Sequence, residues 1–356
     1  MNIAAAAAEV RVIPLARPYT ITFRTVTAIE TVLVVLRDQA GNVGLGTASP
    51  ERHVTGETNE ACQRALAPGE LDFLIGQDTA GIADGSLARQ LQQRMNTTPA
   101  ARAAVDMALW DLHARALGRP LCDLLGRQHP ALPTSITIGI KGTEEALAEA
   151  DEYLGRGFRV LKVKIGRDFQ ADVDRLRRLR ERVGPEVRLR ADANQGYTVE
   201  QTRRLLAESA LDLEFVEQPV PAARTRDLAV LPEVDRDRLC ADESLLTPDD
   251  AAALVVPPRP CGIFNIKLMK CGGVSPALDI ARVADGAGVT LMWGCMDESC
   301  IGISAALHAA LASPATRHLD LDGSFDLAHD LGRGGFEVRD GYLHTVDVPG
   351  LGVTLV

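Results

Sequence analysis

The feature that most constrains the fold is a series of eight short segments rich in Val, Ile and Leu, spread between residues 135 and 323. Their centres lie 24 to 28 residues apart, and helical stretches such as 172–184 and 303–312 lie between them. Eight evenly spaced strands with crossover helices predict a parallel (β/α)8 barrel, a modified TIM barrel. An open doubly wound sheet is the alternative, but no GxGxxG sequence follows a strand here.

The first 130 residues show a different pattern, which predicts an α+β domain. Three segments rich in Val, Ile and Thr predict antiparallel strands at 9–15, 19–25 and 30–37. Two further segments predict helices at 58–75 and 99–117.

We therefore predict a division of the chain into three parts. They are an α+β capping domain at 1–130, the barrel catalytic domain at 131–325, and a C-terminal segment at 326–356 that returns to the capping domain.

Composition and charge exclude several classes of function. The chain has 356 residues, with 48 Asp and Glu against 38 Lys and Arg, and a formal net charge of −10. An acidic chain without a basic stripe argues against nucleic acid or an anionic membrane as a partner. No window approaches the roughly 18 apolar residues of a membrane-spanning helix, and the N-terminus does not fit a secretory signal. The seven cysteines, an odd number without CxxC spacing, predict reduced thiols and a cytoplasmic location.

Carboxylates recur at the ends of three successive barrel strands. Asp192, Glu217 and Asp242 are separated by 25 residues each, so they lie at equivalent depth around one opening. Active sites of such barrels lie at the carboxyl ends of the strands. Three like charges would repel unless a cation lay among them, and oxygen ligands suit Mg²⁺, with Mn²⁺ as a second choice. Pairing of each acid with a local Lys or Arg is the alternative.

Lysines accompany these carboxylates in strands that should be buried. Lys162 and Lys164 are two residues apart and point to the same side of the second strand. Their mutual repulsion should lower the pKa of one of them, as a general base requires. Lys267 lies four strands further on, across the barrel, so two lysines could flank one carbon from opposite faces. Alternatively, the lysines only neutralise the carboxylates.

These residues belong to motifs that resemble the enolase superfamily, in its muconate-lactonising-enzyme subgroup. The resemblance covers nearly the whole chain and rests on five motifs: KVK at 162–164, DANQ at 192–195, VEQP at 216–219, ADES at 241–244 and NIKLMKCGG at 265–273.

The resemblance implies roles for most of the residues singled out above. It implies one Mg²⁺ per subunit, bound by Asp192, Glu217 and Asp242, with Lys164 and Lys267 as the acid and base. Two further residues, Asn194 and Glu243, would orient the metal ligands.

One feature selects a dipeptide epimerase from the activities of this subgroup, which also include cycloisomerases, o-succinylbenzoate synthases and N-acylamino acid racemases. Asp320 and Asp322 on the eighth strand resemble the dipeptide epimerase signature and would bind the α-ammonium of a dipeptide. Thr137 and Arg24 also match epimerase positions, and Lys162 would touch the substrate carboxylate. Arg24 would face either the terminal or a side-chain carboxylate. An Asp pair in a simple strand-to-turn connection is the alternative for 320–322.

Acidic residues near the opening bear on substrate choice. Glu51 in a capping-domain loop, and Asp297 and Glu298 after the seventh strand, would disfavour a glutamate side chain and favour Lys or Arg. We therefore expect an isomerase that moves a proton at the α-carbon of the C-terminal residue of a cationic dipeptide. The alternatives are an L-Ala-D/L-Glu epimerase, an N-acylamino acid racemase or cycloisomerase, a Schiff-base aldolase, and a non-catalytic peptide-binding barrel. The sequence is also compatible with a homo-oligomer.

Overall fold

The N-terminal part of the chain forms a three-stranded antiparallel sheet. A computed structural model describes residues 1–21 and 24–356, without the side chains of residues 18–25. The sheet has the order β1 (Ile3–Ile21), β2 (Arg24–Asp38) and β3 (Val43–Ala48). The strand predicted at 9–15 lies within β1, and the one predicted at 30–37 lies within β2, which pairs with β1 along most of its length. The strand predicted at 19–25 covers the end of β1 and the start of β2, and its residues 22 and 23 lie outside the described residues.

Helices cover this sheet on the side that faces the rest of the molecule. They are α1 (Arg52–Thr55), α2 (Asn59–Ala65), α3 (Ser86–Arg94), α4 (Pro99–Ala116) and α5 (Leu121–Leu125), with 3₁₀ turns at Asp72–Leu74 and Thr79–Ile82. The single helix predicted at 58–75 is wrong. The α-helix ends at Ala65, just before Pro68 and Gly69, and Gly69 has a φ of +90° that a helix does not allow.

The helix α4 is the buried centre of the N-terminal part, as its composition suggests. Its residues 100–114 are all buried, including the charged Arg102, Asp106 and Asp111, so every face of the helix packs against other parts of the protein. The strand β3 packs against it without side chains between them, since a Cβ on Gly46 would lie 1.9 Å from the carbonyl oxygen of Ala104.

The central part is an eight-stranded sheet, which confirms the predicted barrel. Neighbours in the sheet follow chain order, and every pair from the first strand to the last is parallel. After the short β4 (Leu132–Pro133), the strands are β5 (Ile136–Ile138), β6 (Val160–Lys164), β7 (Arg188–Asp192), β8 (Leu213–Glu217), β9 (Leu239–Ala241), β10 (Ile263–Ile266), β11 (Thr290–Gly294) and β12 (Thr316–Asp320). A parallel bridge from Thr134 to Leu319 joins the first and last strands.

Helices connect these strands and cover the outside of the barrel. They are α6 (Thr143–Gly155), α7 (Phe169–Val183), α8 (Val199–Leu206), α9 (Glu233–Arg236), α10 (Pro248–Leu254), α11 (Leu268–Cys271), α12 (Val274–Gly286) and α13 (Cys300–Ala312), with 3₁₀ segments at Ser209–Leu211 and Ala222–Val230. Side-chain caps fix where several of them begin. Thr198 and Thr247 each form a capping box with the residue three positions on.

The C-terminal segment adds four short strands: β13 (Gly332–Gly334), β14 (Phe336–Arg339), β15 (Tyr342–Thr345) and β16 (Val353–Leu355). β15 pairs with β4, and β16 pairs with β13. The segment also contacts α4, since Arg115 donates to the carbonyl of Val353 and Leu351 N donates to Asp111. Among the described residues, no helix is long and apolar enough to cross a membrane. All seven cysteines are free thiols.

Candidate active site

Strand register brings the predicted site residues to the carboxyl ends of the barrel strands. Asp192 pairs with Lys164 on one side and with Glu217 on the other. Asp242 follows β9 directly, and Lys267 follows β10. Because the strands are parallel and adjacent, all five side chains line one opening.

Lys162 lies at the centre of the acidic cluster. Its Nζ is 2.7 Å from Asp320 Oδ2, 2.9 Å from Glu217 Oε2 and 3.0 Å from Asp192 Oδ2. Burial alone would lower the pKa of Lys162, but these three carboxylates raise it well above its usual range. Lys162 is therefore not the lysine whose pKa repulsion lowers, because the anions around it outweigh the neighbouring ammonium.

The two proposed acid–base lysines are hydrogen-bonded to different carboxylates. Lys164 Nζ donates to Asp192 Oδ2 at 2.7 Å and to Asn194 Oδ1 at 2.9 Å. Lys267 Nζ donates to Asp242 Oδ2 at 2.8 Å. Burial opposes the charge on Lys267, but Asp242 raises its pKa above the usual range. The two amines are thus held independently, on strands at opposite sides of the opening.

The three strand-end carboxylates have the chemistry of an oxygen-ligand metal site. Burial and the nearby Asp192 raise the pKa of Glu217 to about 8, because Lys162 and Lys267 offset these effects only in part. Although Lys162 is close, the buried Glu217 Oε2 has no hydrogen-bond partner. By contrast, Lys162 and Lys164 overcome the effect of burial on Asp192 and lower its pKa to about 2.

As the side chains lie, the described residues contain no group of three His, Cys, Asp or Glu already arranged around a metal. This agrees with the lysine contacts, which engage the oxygens of Asp192 and Asp242. The unsatisfied oxygen of Glu217 and the all-oxygen donor set fit a divalent cation such as Mg²⁺.

Asn194 and Glu243 lie where ligand-orienting residues would be. Asn194 Nδ2 donates to Glu243 Oε1 at 3.1 Å, and Asn194 N donates to Asp192 Oδ1 at 3.0 Å. The turn that allows both contacts places Asn194 at a φ of +39°, a conformation that Asn tolerates better than most residues. Burial raises the pKa of Glu243.

Two residues of this region escaped the sequence interpretation. Gln218 Oε1 accepts hydrogen bonds from Asp242 N at 2.9 Å and from Ser244 Oγ at 2.9 Å, which ties the end of β8 to the end of β9. Lys270 is buried and donates to Asp242 Oδ1, to the Asp242 carbonyl at 2.6 Å and to the Asn265 carbonyl at 3.0 Å. Gln218 lies in the VEQP motif and Lys270 in the NIKLMKCGG motif. Membership of these motifs is the sequence signal that could have identified both residues.

The two aspartates of the eighth strand lie beside the metal cluster. Asp320 bridges Lys162 and Ser135, whose Oγ donates to Asp320 Oδ1 at 2.6 Å. Asp322 Oδ2 accepts the N–H of Thr137 at 2.8 Å. Burial and the charge of Asp320 raise the pKa of Asp322 to about 7, and Lys162 offsets this rise only in part.

The residues predicted to set substrate preference differ in their exposure and in their contacts. Glu51 caps α1, and Asp297 is partly exposed after β11. Glu298 is only 2% exposed and accepts the N–H of Met296 at 2.8 Å, so its carboxylate is held by its own loop. Burial raises the pKa of Glu298 to about 7. The side chain of Arg24 lies outside the described residues.

Comparison with known families agrees with this arrangement along the chain. Residues 4–126 match the family described as "Mandelate racemase / muconate lactonizing enzyme, N-terminal domain". Residues 145–356 match "Enolase C-terminal domain-like".

Similar proteins and solved structures match over almost the full length. The "L-Lys-D/L-Arg epimerase" of Methylococcus capsulatus is 56% identical over 341 residues, which cover 96% of this chain and 95% of that protein. The "L-Ala-D/L-Glu epimerase" of Bacillus subtilis is 34% identical over 345 residues, which cover 96% and 93%.

A crystal structure of a dipeptide epimerase from Methylococcus capsulatus, complexed with Mg and the dipeptide L-Arg-D-Lys, superposes with a TM-score of 0.97. It is 55% identical, and the match covers 99% of this chain and 100% of that one. The chain therefore belongs to the mandelate racemase/muconate lactonizing enzyme family of the enolase superfamily.

Proposed function

We propose that this chain is a Mg²⁺-dependent dipeptide epimerase that inverts the α-carbon of the C-terminal residue of a cationic dipeptide. It is an isomerase that works by 1,1-proton transfer. The observation that carries the proposal is the placement of Lys164 and Lys267, each bound to a different strand-end carboxylate across one opening. The relatives that match over the whole chain are named as epimerases.

The two lysines carry the proton transfer. One of them, as a neutral amine, removes the α-proton from one face of the substrate. The other, as an ammonium, delivers its proton to the opposite face, so the two residues exchange protonation states in each turnover. Which lysine acts as the base depends on the starting configuration.

The carboxylates and Lys162 bind the substrate carboxylate region. Asp192, Glu217 and Asp242 would hold the Mg²⁺, which, when bound, stabilises the negative charge that develops on the substrate carboxylate. Asn194 and Glu243 keep the ligands in orientation, and the buried ammonium of Lys162 adds a permanent positive charge beside them.

The α-ammonium of the dipeptide would bind at Asp320 and Asp322. The raised pKa of Asp322 marks a buried carboxylate that a cation would stabilise. The Thr137 N–H holds Asp322 in place from the first strand of the barrel. Replacement of Asp322 by Asn should reduce kcat/KM about tenfold or more, because a charged hydrogen bond to the substrate ammonium is lost while the ion pair of Asp320 with Lys162 stays intact.

This variant also separates the proposal from its rivals. An N-acylamino acid racemase or a cycloisomerase has no substrate ammonium and should tolerate Asp322→Asn, which leaves Lys162 paired with Asp320. A non-catalytic peptide-binding barrel would bind peptides tightly in EDTA without exchanging their α-proton in D₂O. A Schiff-base aldolase would be trapped by borohydride with a carbonyl substrate.

Two observations support a preference for substrates with Lys and Arg side chains. One is the negative charge near the opening, and the other is the similarity of this chain to known epimerases. Glu51 and Asp297 add negative charge, whereas Glu298 is buried and contributes through its field alone. The Methylococcus capsulatus relative, named as an L-Lys-D/L-Arg epimerase, is much more similar to this chain than the L-Ala-D/L-Glu epimerase of Bacillus subtilis, at 56% against 34% identity. If Arg24 reaches a substrate side chain, it opposes this preference.

The test compares kcat/KM for L-Arg-L-Lys and L-Ala-L-Glu at fixed ionic strength and saturating Mg²⁺. We expect the cationic dipeptide to be preferred, and Glu51→Gln with Asp297→Asn to reduce the preference. A higher kcat/KM for L-Ala-L-Glu would overturn the cationic specificity and leave the epimerase assignment intact.

We also propose a cytoplasmic enzyme without a nucleic-acid partner, which the free thiols and the net charge of −10 support. Assembly into a homo-oligomer and the three-part domain division stay predictions, and sedimentation velocity would test the former.

A further inference from the structure

A buried polar cluster lies behind the turn that follows β6, and proton transfer as described above does not use it. It consists of Asp172 and Arg175 on α7 and Tyr197 after β7, which are 1%, 5% and 3% exposed. Burying a charged pair costs free energy unless good geometry and further hydrogen bonds compensate. Packing alone therefore does not explain why these charged residues are buried.

The cluster holds the backbone on both sides of Ile165. One guanidinium nitrogen of Arg175 donates to the carbonyl of Lys164 at 2.9 Å and to Asp172 Oδ1 at 2.7 Å. Asp172 Oδ2 accepts the N–H of Gly166 at 2.8 Å and the hydroxyl of Tyr197 at 2.8 Å. The peptide groups that immediately follow Lys164 are thus fixed by buried, charge-assisted hydrogen bonds.

The backbone of the turn after β6 packs closely against the backbone of the turn after β7, which restricts its conformation. Gly166 has a φ of +108°, and a Cβ there would lie 2.3 Å from the carbonyl oxygen of Ala193. A Cβ on Gly196 would lie 2.2 Å from the carbonyl oxygen of Gly166. Because the turn directly follows β6, any movement of it would also move the end of β6 that carries Lys164.

Lys267 is held by different groups. Its Nζ bonds to Asp242, and the helix that follows it is contacted by α4, where Arg102 donates to the carbonyl of Cys271 at 2.7 Å. Among the described residues, no hydrogen bond or ion pair joins Asp172, Arg175 or Tyr197 to Lys267 or to α11.

We propose that Asp172, together with Arg175 and Tyr197, positions Lys164 for proton transfer without touching the substrate. The inference rests on the proposed function. Its consequence is asymmetric: weakening this cluster displaces one of the two acid–base lysines and leaves the other in place. Only the epimer whose α-proton Lys164 removes should then lose proton abstraction.

Epimerisation rates cannot reveal this asymmetry, because the equilibrium constant fixes the ratio of kcat/KM in the two directions. Exchange of the α-proton with solvent deuterium can reveal it, since each epimer is deprotonated by its own lysine. The epimer that depends on Lys164 is the one that still exchanges in Lys267→Ala, where Lys164 is the remaining base.

The experiment measures α-proton exchange of each epimer of Arg-Lys in D₂O at saturating Mg²⁺, so that changes in metal affinity do not enter. The variants are Tyr197→Phe, which removes one hydroxyl, and Asp172→Asn. Tyr342→Phe is the control for the loss of a tyrosine hydroxyl, because Tyr342 lies on β15, outside the cluster, and is 46% exposed. Circular dichroism checks that each variant is folded.

We expect Tyr197→Phe to slow exchange of the Lys164-dependent epimer by about tenfold, and Asp172→Asn by about a hundredfold, as small misplacements of a catalytic group do. Exchange of the other epimer should stay within about twofold of wild type. Equal losses for both epimers in folded Tyr197→Phe, or no loss for either, would overturn the positioning role. Absence of exchange in the wild-type enzyme would instead contradict the proposed function.

Discussion

Glu217 shows at the scale of one residue why this site suits a divalent cation. It is fully buried, and one of its oxygens has no hydrogen-bond partner even though Lys162 lies 2.9 Å away. Its neighbours Asp192 and Asp242 are compensated by lysines, and both have lowered pKa values, whereas the pKa of Glu217 is raised. A cation bound here would therefore remove a repulsion that the protein alone leaves in place.

This predicts a stability effect specific to Glu217. Mg²⁺ at a hundred times its Kd should stabilise the wild-type protein by about 2.7 kcal/mol, and Glu217→Gln should lose most of that gain. Glu214→Gln, on the same strand and paired with Arg190, is the control: it should lower the Tm yet keep the response to Mg²⁺. Thermal unfolding with and without Mg²⁺ measures both. An undiminished Mg²⁺ response in Glu217→Gln would show that the metal binds elsewhere.

The spacing along the sequence predicted the three carboxylates of the site, but not the groups that they contact. Asp192, Glu217 and Asp242 repeat at 25 residues, and the regular barrel turns this interval into proximity. The burial of Glu298 and the contacts of Gln218 and Lys270 depend on how loops fold back, which no sequence period encodes. The raised pKa of Lys162 was out of reach for the same reason, since it depends on anions from three other strands.

At the scale of elements, the contact between α4 and β3 fixes the N-terminal part. Gly44 and Gly46 allow the strand to lie directly on the helix backbone. The helix in turn reaches the barrel, where Trp110 Nε1 donates to Ser275 Oγ at 2.9 Å at the start of α12. The barrel strands and α4 were predictable because their periodicity and composition are strong. The break of the helix predicted at 58–75 was also visible in the sequence, as the turn-forming pair Pro68 and Gly69, but the prediction ran through it.

The close approach of β3 and α4 predicts a large cost for one methyl group. Gly46→Ala would place a Cβ 1.9 Å from the carbonyl oxygen of Ala104, so the strand and helix must separate. We expect a loss of about 3 kcal/mol, at the upper end of overpacking effects. Gly142→Ala is the matched control, because nothing lies within 4 Å of its Cβ position, and it should change stability by less than about 0.5 kcal/mol. Urea unfolding compares them, and similar midpoints would contradict the packing described.

At the scale of the whole molecule, buried neutral histidines couple stability to pH. His308 on α13 accepts the N–H of Cys122 on α5 at 2.9 Å, which requires an unprotonated Nδ1. Burial lowers the pKa of His308 to about 4, and burial together with Arg190 lowers that of His318 to about 3. Both values lie below the pKa of about 6.5 in an unfolded chain, so the unfolded state binds more protons below that pH.

The contribution of these histidines to stability should therefore fall as the pH decreases from about 6.5 towards 4, with His308 alone costing about 2 kcal/mol at pH 5. Carboxyls with raised pKa values, such as Glu217, contribute in the opposite direction, so the effect is measured as a difference between variant and wild type. His308→Asn, whose amide oxygen can accept the same N–H, should flatten this dependence while lowering stability at pH 7.5 by a smaller amount. The free energy of unfolding at pH 5 and pH 7.5 tests this. If the variant and the wild type lose equal stability between the two pH values, His308 does not carry the effect.

The central claim is that Lys164 and Lys267 act on opposite faces of one α-carbon. The most direct measurement is α-proton exchange of both epimers of Arg-Lys in D₂O with Mg²⁺, for wild type, Lys164→Ala and Lys267→Ala. We expect wild type to exchange and interconvert both epimers. Each variant should fail to epimerise yet still exchange one epimer, and the surviving epimer should differ between the two variants. Exchange of both epimers at the wild-type rate by Lys267→Ala would contradict the claim.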